Sequence, residues 1–575
     1  MRALVLTALL FLLAACQSTR TPPVYSDLVT RINAGEEVAV TDLQAAFAHR
    51  EDLATVFPQL QELERQALAI MADEPLKLGA IGTAILDLYQ GSLAGHMVLE
   101  AFYTHVDSGD AIGPHTAWIS RIRDAIGTSA GTAEDPFEVT GQAEAHAHLA
   151  AQQLEPVGGI YQSEPHSPLI LALLGKKEGG PVRTAFYSLN PMYRALTARF
   201  PSAEETAAKD SPTNDSKSKK KPSAEEAAAA EANQALAMIG ILARESDTAA
   251  QTSVGAFLAT RRRTEDALGW LGAAARNGNL VANMLIAGIY RDQIKDAPDD
   301  KTREEYKAEI VNNYTHAIAL GSPDAMYALG VLYLNEQFGK ENVAAGIPLL
   351  ERASGLEHGD SLTYLGHLHA TGEHFPEDRN KAADHFIRAS ILGNPRATYA
   401  YARLLLTPEN KLAPDQRIHE WLDKLADQED AEAMVHLGNL HARGIGVEQA
   451  PRKGTRSAFR WYRAAVKQNP DDPNIVNEVA WTLAVSDVDG LPQPRFARSI
   501  MDRLMTDNHD AGSRPEYLDT WAAIHAANGD FEEAITLQEK ALSRAQELKR
   551  EDVYDILKEH LDKFRAGEVI VERAP

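Results

Sequence analysis

Cysteine is almost absent, with Cys16 the single one in 575 residues. That excludes an internal disulfide framework and any metal site built from several thiolates. Long apolar runs are also missing: beyond the first fifteen residues nothing approaches the ~20 consecutive apolar residues of a membrane-spanning helix. A chain that threads a bilayer repeatedly as helices is thereby excluded. Positive charge is in short supply, with Lys and Arg totalling 57 against 81 Asp and Glu, for a net charge of −24. A field of that sign repels phosphate backbones, so nucleic acid is not an expected partner. The only basic run, Lys217 to Lys221, lies in a low-complexity stretch flanked by Glu. It reads as a solvated charge run, with contact to anionic lipid as the alternative.

What is present is a chain long enough to exceed one hydrophobic core, with 44% hydrophobic residues. Several cooperative units or a repeat array are therefore expected. The first residues have their own logic: Met1 and Arg2 carry charge, Leu4 to Leu13 are apolar, and small residues lead to the cysteine. That is the layout of a signal peptide. Leu13, Ala14, Ala15 and Cys16 resemble the lipobox of bacterial lipoproteins. The resemblance implies a mature chain starting at Cys16 and held by acyl chains, each buried methylene contributing ~0.8 kcal/mol. Gln17, where aspartate would retain a lipoprotein at the inner membrane, implies outer-membrane sorting and a periplasm-facing location in the cell envelope.

Internal periodicity is the most informative feature. Gly330, Gly366, Ala402 and Gly438 recur at 36-residue spacing (366−330, 402−366, 438−402), each near the middle of a helical pattern. A side chain of zero or one carbon there lets a partner helix approach closely. A second ladder consists of Ala267, Trp270, Ala274; Gly346, Leu349, Ala353; Ala382, His385, Ala389; Ile418, Trp421, Leu425; and Ala458, Trp461, Ala465. Offsets of three and four put each trio on one helix face. The large middle residue is expected to be the knob. Gly278, Gly321 and Gly393 stand where left-handed helix ends are expected.

These residues resemble the Sel-one-like repeat over roughly residues 256 to 469, the best copy being Ala431 to Asn469. Tyr517 to Leu542 resembles a tetratricopeptide repeat, with Trp521, Ala522, Gly529, Ala534 and Ala541 in its packing slots. A weaker copy holds Ala480, Trp481, Leu483 and Ala497. Both families imply paired helices stacked side by side and a role in binding other proteins. Val553, Ile556, Leu557, Leu561 and Phe564 share a helix face suited to capping the array.

The first half is less regular. Leu60, Leu63, Ala67 and Ile70 have helical spacing, and another hairpin-like stretch runs from Leu78 to Val106. Between Phe137 and Tyr193 the period changes. The apolar runs Leu169–Leu174 and Val182–Leu189 flank Gly179 and Gly180, the pattern of a β-hairpin. The expected fold class is mostly α, an α–α superhelical solenoid with a small α+β insertion. Its expected segments are a leader (1–15), a lipidated tether (16–25), a helical region (26–135), the α+β region (136–200), a linker (201–232), Sel-one-like repeats (233–470) and tetratricopeptide-like repeats with a capping helix (471–575).

The search for chemistry returns little. Gly127, Thr128, Ser129, Ala130 and Gly131 spell a GxSxG pattern, but a helical pattern precedes it where a strand is required, so Gly127 reads as a helix stop. His358, His367, His369, His374 and His385 cluster in sequence. His367 and His369 are two apart, which on a helix separates them, so packing is the expected role and metal binding the alternative. His146 and His148 would share a face only on a strand. The expected function is a membrane-anchored adaptor in the cell envelope that binds proteins or peptides, with no catalytic residue, metal or cofactor. The alternative is an enzyme using His146, His148, Glu164 or His166 in a pocket of the 136–200 region.

Overall fold

Small and large apolar side chains alternating at helical spacing produce 26 α-helices among the residues described by the computed structural model: 23–164, 167–198, 224–335, 338–447, 451–507 and 511–573. The expected leader with Cys16, the lysine run 217–221 and His166 lie outside the described residues. The chain divides into two compact units, Met1–Leu329 and Gly330–Pro575.

The first unit opens with α1 (Tyr25–Asn33), α2 (Val40–Ala48), α3 (Leu53–Ile70), α4 (Leu78–Leu88), α5 (Leu93–His105) and α6 (Gly109–Ile126). Leu60 and Ala67 are fully buried on α3, with Leu63 and Ile70 packed beside them. The Leu78–Val106 stretch becomes the α4–α5 hairpin. A Cβ on Gly82 would come within 2.6 Å of Leu99 Cγ, and one on Gly95 within 2.7 Å of Ile85 Cγ2, so two glycines set the approach of the two helices. Gly127 follows the last residue of α6 as its cap, and no strand precedes Ser129.

The change of period at residue 137 marks a four-stranded sheet: β1 (Phe137–Glu138), β2 (Glu155–Glu164), β3 (Ser167–Lys176) and β4 (Val182–Ser188), in the order β1-β4-β3-β2. β3 and β4 pair antiparallel, with Leu171 opposite Tyr187 and Leu173 opposite Ala185, and Gly179 takes φ +67° in the turn. Leu169 to Leu173 are all buried, so side chains on both faces of this strand are shielded from solvent, as its continuous apolar run leads one to expect. β2 was not expected. Its Gly158 and Gly159 weaken the strand pattern, yet they let β2 approach a helix start: a Cβ on Gly158 would lie 2.8 Å from the Leu280 nitrogen. Between β1 and β2 lies α7 (Gln142–Ala151), and α8 (Asn190–Thr197) follows β4.

Helix α9 (Ala224–Arg244) begins inside the expected linker. Paired helices follow: α10 (Thr248–Thr260), α11 (Thr264–Arg276), α12 (Leu280–Gln293), α13 (Asp300–Ala319) and α14 (Pro323–Leu334), the last of which contains the division between the units.

The second unit continues with α15 (Val343–Gly355), α16 (Gly359–Thr371), α17 (Arg379–Ile391), α18 (Pro395–Leu406), α19 (Ile418–Asp427), α20 (Ala431–Arg443), α21 (Pro451–Gln468), α22 (Pro473–Val485), α23 (Pro494–Asp507), α24 (Pro515–Ala527), α25 (Phe531–Glu547) and α26 (Glu551–Arg565). One continuous hydrophobic cluster runs from Leu362 to Ile570. After α26 the chain returns across the array. The Glu572 nitrogen donates to Val485 O at 2.8 Å, the Asp487 nitrogen donates to Glu572 O at 2.9 Å, and Arg573 donates to Leu406 O at 3.2 Å.

Candidate functional site

The four small residues occupy one place in four alternate helices, the first of each successive pair. α14, α16, α18 and α20 begin 36 residues apart (359−323, 395−359, 431−395), and Gly330, Gly366, Ala402 and Gly438 each lie seven residues beyond the first residue. An added Cβ would be 3.1 Å from Leu350 Cγ at Gly330, 2.5 Å from Phe386 at Gly366 and 2.4 Å from Tyr462 at Gly438. Ala402 is completely buried.

The knobs are therefore Leu350, Phe386 and Tyr462, with Leu422 the equivalent in the remaining pair, and all four are buried. This corrects the expected knobs Leu349, His385, Trp421 and Trp461, which precede them by one residue and are only half-buried. Trp270 is likewise half-buried beside the fully buried Leu271, and Trp521 beside the fully buried Ala522. One residue is about 100° of helix rotation, so each tryptophan is turned from the seam to its rim. There the rings remain partly available: Trp421 carries the Arg417 guanidinium at 5.1 Å, and Trp521 Nε1 donates to Asp502 at 2.7 Å.

Successive repeats join by three-residue links, 356–358, 392–394 and 428–430. The middle residue is left-handed (Glu357 φ +60°, Gly393 +82°, Glu429 +67°), and the third caps the next helix. His358 Nδ1 accepts from the Ser361 nitrogen at 3.1 Å, Asn394 from Ala397 at 3.1 Å and Asp430 from Ala433 at 2.9 Å. The same turn occurs at Gly278–Asn279 and Gly321–Ser322 in the first unit. Reversal of the chain and satisfaction of the next helix's open N–H groups are thus a single device.

Of the clustered histidines, His367, His369 and His385 serve packing, His358 caps a helix and His374 is exposed. His369 stacks on Phe375 (4.4 Å) and His385 (5.5 Å), whereas His367 lies edge-on to Phe386. Burial pushes the His385 imidazole down to about 4. Among the described residues no three His, Cys, Asp or Glu side chains are grouped to hold a metal. His146 and His148 lie on α7, not a strand. His146 bonds to Gln142 O within the helix, while His148 is buried between Phe137 and Tyr187 and pushed down to about 4.

Two buried carboxylates went unnoticed in the sequence. Glu64 is pushed up to about 8, chiefly by burial, and accepts from Ser92 Oγ at 2.5 Å. Glu144, also raised by burial, accepts from the Thr140 nitrogen and hydroxyl at 2.6 and 2.8 Å.

A basic groove was also missed. Helix α21 holds Arg452, Lys453, Arg456, Arg460, Arg463 and Lys467 and no acidic residue. Beside it runs α23, and between them lies a groove of about 620 Å³ lined by Arg460, Arg463, Ala464, Lys467, Phe496 and Ile500, among others. No contiguous run betrays it, because the charges are spaced by helical turns.

This architecture defines a class: a mostly α chain, an α–α solenoid of stacked helix pairs with a small sheet in its N-terminal half. Residues 323–358, 359–394 and 431–470 match the Sel1 repeat family, so the chain carries Sel1 repeats. The pair at 395–430 has the same place in the lattice, but Ile418 and Leu425 stand where Ala382 and Ala389 stand one repeat earlier. No curated protein matches the chain. Among solved structures it is similar to a protective antigen of uropathogenic Escherichia coli strains displaying an SLR fold (18% identity, 58% of this chain, 68% of that one, TM-score 0.40). It is similar also to a Sel1 repeat protein from Oxalobacter formigenes (17%, 55% and 89%, 0.36) and to a thermophilic tetratricopeptide repeat protein of Thermus thermophilus (18%, 36% and 99%, 0.26). Sel1 and tetratricopeptide solenoids are typically non-enzymatic protein-interaction modules.

Proposed function

We propose that the chain is a protein-binding scaffold of the bacterial cell envelope, tethered to the outer membrane by acyl chains on Cys16 and facing the periplasm. The observation that carries the binding role is the lattice itself. Equivalent helices recur every 36 residues, and the helices paired with them present half-buried Trp421 and Trp461 at the edge of the buried core. Such rings supply contact area at low entropic cost. The anchoring rests on the residues before and at Cys16.

The test is crosslinking in the native envelope, comparing the wild-type chain with Cys16→Ser. Wild-type protein should sediment with outer membranes and capture a defined partner, and the variant should leave the membrane fraction. A wild-type chain that captures no partner overturns the scaffold reading. A Cys16→Ser chain that stays membrane-bound overturns the anchor.

A further inference from the structure

Lys453, Arg456, Arg460, Arg463 and Lys467 follow one another at intervals of three, four, three and four residues (456−453, 460−456, 463−460, 467−463). That spacing puts five cations in one stripe on α21, about 21 Å long at ~1.5 Å per residue. All five are exposed, and none makes an ion pair with a described residue, although acidic residues outnumber basic ones in the chain as a whole.

The stripe works against its own helix. Like charges three and four residues apart repel, and Lys453 and Arg456 stand near the positive end of the helix dipole. Within the described residues the stripe gains in return only Arg463 over the Phe459 ring at 5.9 Å and a 3.5 Å bond from Arg460 to Ser457 Oγ.

The last three members of the stripe, Arg460, Arg463 and Lys467, border the α21–α23 groove, whose floor is apolar. Phe459 and Phe496 meet edge to face at 5.4 Å, and Ala464, Phe496 and Ile500 line the space. On the far side Arg503 is already neutralised by Asp471 (3.3 Å) and Asp507 (3.6 Å), so among the described residues lining the groove the unmatched charge lies on α21.

Resting on the scaffold reading, we propose that the α21–α23 groove is a docking site for an acidic polypeptide segment, its Asp and Glu side chains along the stripe and one or two apolar side chains on the Phe496–Ile500 floor. Two features favour a peptide over other polyanions. A recessed apolar floor has nothing to offer a phosphodiester backbone, and a duplex or an extended strand would bring its charge against the acidic remainder of the chain. A flat array of lipid headgroups satisfies the cations but leaves the floor empty.

The experiment is fluorescence anisotropy with the full chain and a labelled 12-residue peptide of Glu and Asp containing two Phe, at ~50 mM and ~300 mM salt. Parallel arms use the same peptide with Ser for Phe, phosphatidylglycerol vesicles and single-stranded DNA. Binding at low salt should weaken at least tenfold in Arg460→Glu/Arg463→Glu/Lys467→Glu and at high salt, as screening requires. It should weaken about fivefold or more for the peptide lacking Phe. Arg460→Gln/Arg463→Gln, which leaves the helix without new ion pairs, should give an intermediate loss with unaltered thermal unfolding.

No binding by wild-type protein, binding indifferent to the charge reversal, or tighter binding of vesicles or DNA each overturns the proposal. So does self-association abolished by the reversal, which would assign the groove to a second copy. Introduced into the envelope crosslinking, the triple variant separates the two readings. Capture that persists sinks the groove while leaving the scaffold, whereas a wild-type chain without partners sinks the scaffold.

Discussion

At the residue scale, the glycines of the lattice reverse the usual rule. Replacing glycine by alanine inside a helix ordinarily gains up to ~1 kcal/mol. At Gly438 the new methyl would lie 2.4 Å from the ring of Tyr462, which is held by its hydrogen bond to Asn439 Oδ1 at 2.7 Å. Gly438→Ala is expected to destabilise by ~1–3 kcal/mol. Gly288→Ala, on α12 with open space around it, should be neutral or stabilising. Urea midpoints of both variants check the pair, and equal effects would mean that α20 and α21 are not in close contact.

Glu64 makes a second prediction. Its carboxyl is raised to about 8 in the folded chain from 4.5 in the open one, so the folded state favours the neutral form. Its contribution is fully present below pH 4.5 and lost progressively as pH rises toward 8, by an upper bound of roughly 5 kcal/mol. The buried histidines His96 and His148, both pushed down to about 4, act in the opposite sense as pH falls from 6.5, but equally in both proteins. Glu64→Gln should therefore gain stability relative to wild type between pH 5 and pH 9, read from the unfolding of the first unit. A constant difference between the two proteins would contradict a neutral buried Glu64.

At the scale of elements, what was legible depended on whether chemistry or spacing carried the signal. The 36-residue recurrence of small residues was visible because glycine has few other reasons to sit mid-helix. The knob lies one position beyond the one that side-chain size indicates: in the Trp461–Tyr462 pair the first ring is the larger, but the geometry of Gly438 selects the second. Tyr462→Ala should cost ~3–5 kcal/mol, since it opens a cavity and strands the Asn439 oxygen. Trp461→Ala should cost less than half as much. Denaturant titration ranks them, and the opposite order would make Trp461 the knob.

Glu64 is hard to see in the sequence because Gln61, Glu62, Arg65 and Gln66 surround it and Leu63 beside it takes the apolar spacing, although Glu64 lies four residues after Leu60 and three before Ala67, on the buried face. The basic stripe hid for a similar reason: its members are scattered in sequence and gathered only by the turn of the helix. β2 was illegible because two glycines interrupt it, whereas the β3–β4 hairpin announced itself through continuous apolar runs around Gly179.

At the scale of the whole molecule, arrays of this kind unfold by neighbouring contacts, and long-range ties change that behaviour. In the second unit the returning segment 568–573 supplies such ties. Glu572 joins Val485 and Asp487 and faces His560 Nε2 at 3.3 Å, while Ile570 is buried in the common core. Removing residues 568–573 should accelerate amide exchange around Val485–Asp487 and in α26, and broaden the unfolding transition of this unit. Unchanged protection there would show that the tie is dispensable.

The three-residue links between repeats leave no slack, because one residue must be left-handed and the next must cap. Inside a repeat the crossing is looser, seven residues at 372–378 and eleven at 407–417. Insertions are therefore admissible on one margin only. A lineage that lengthened those crossings would decorate a single border while the pitch of the stack stayed constant, and variation among relatives should be sought along that border first.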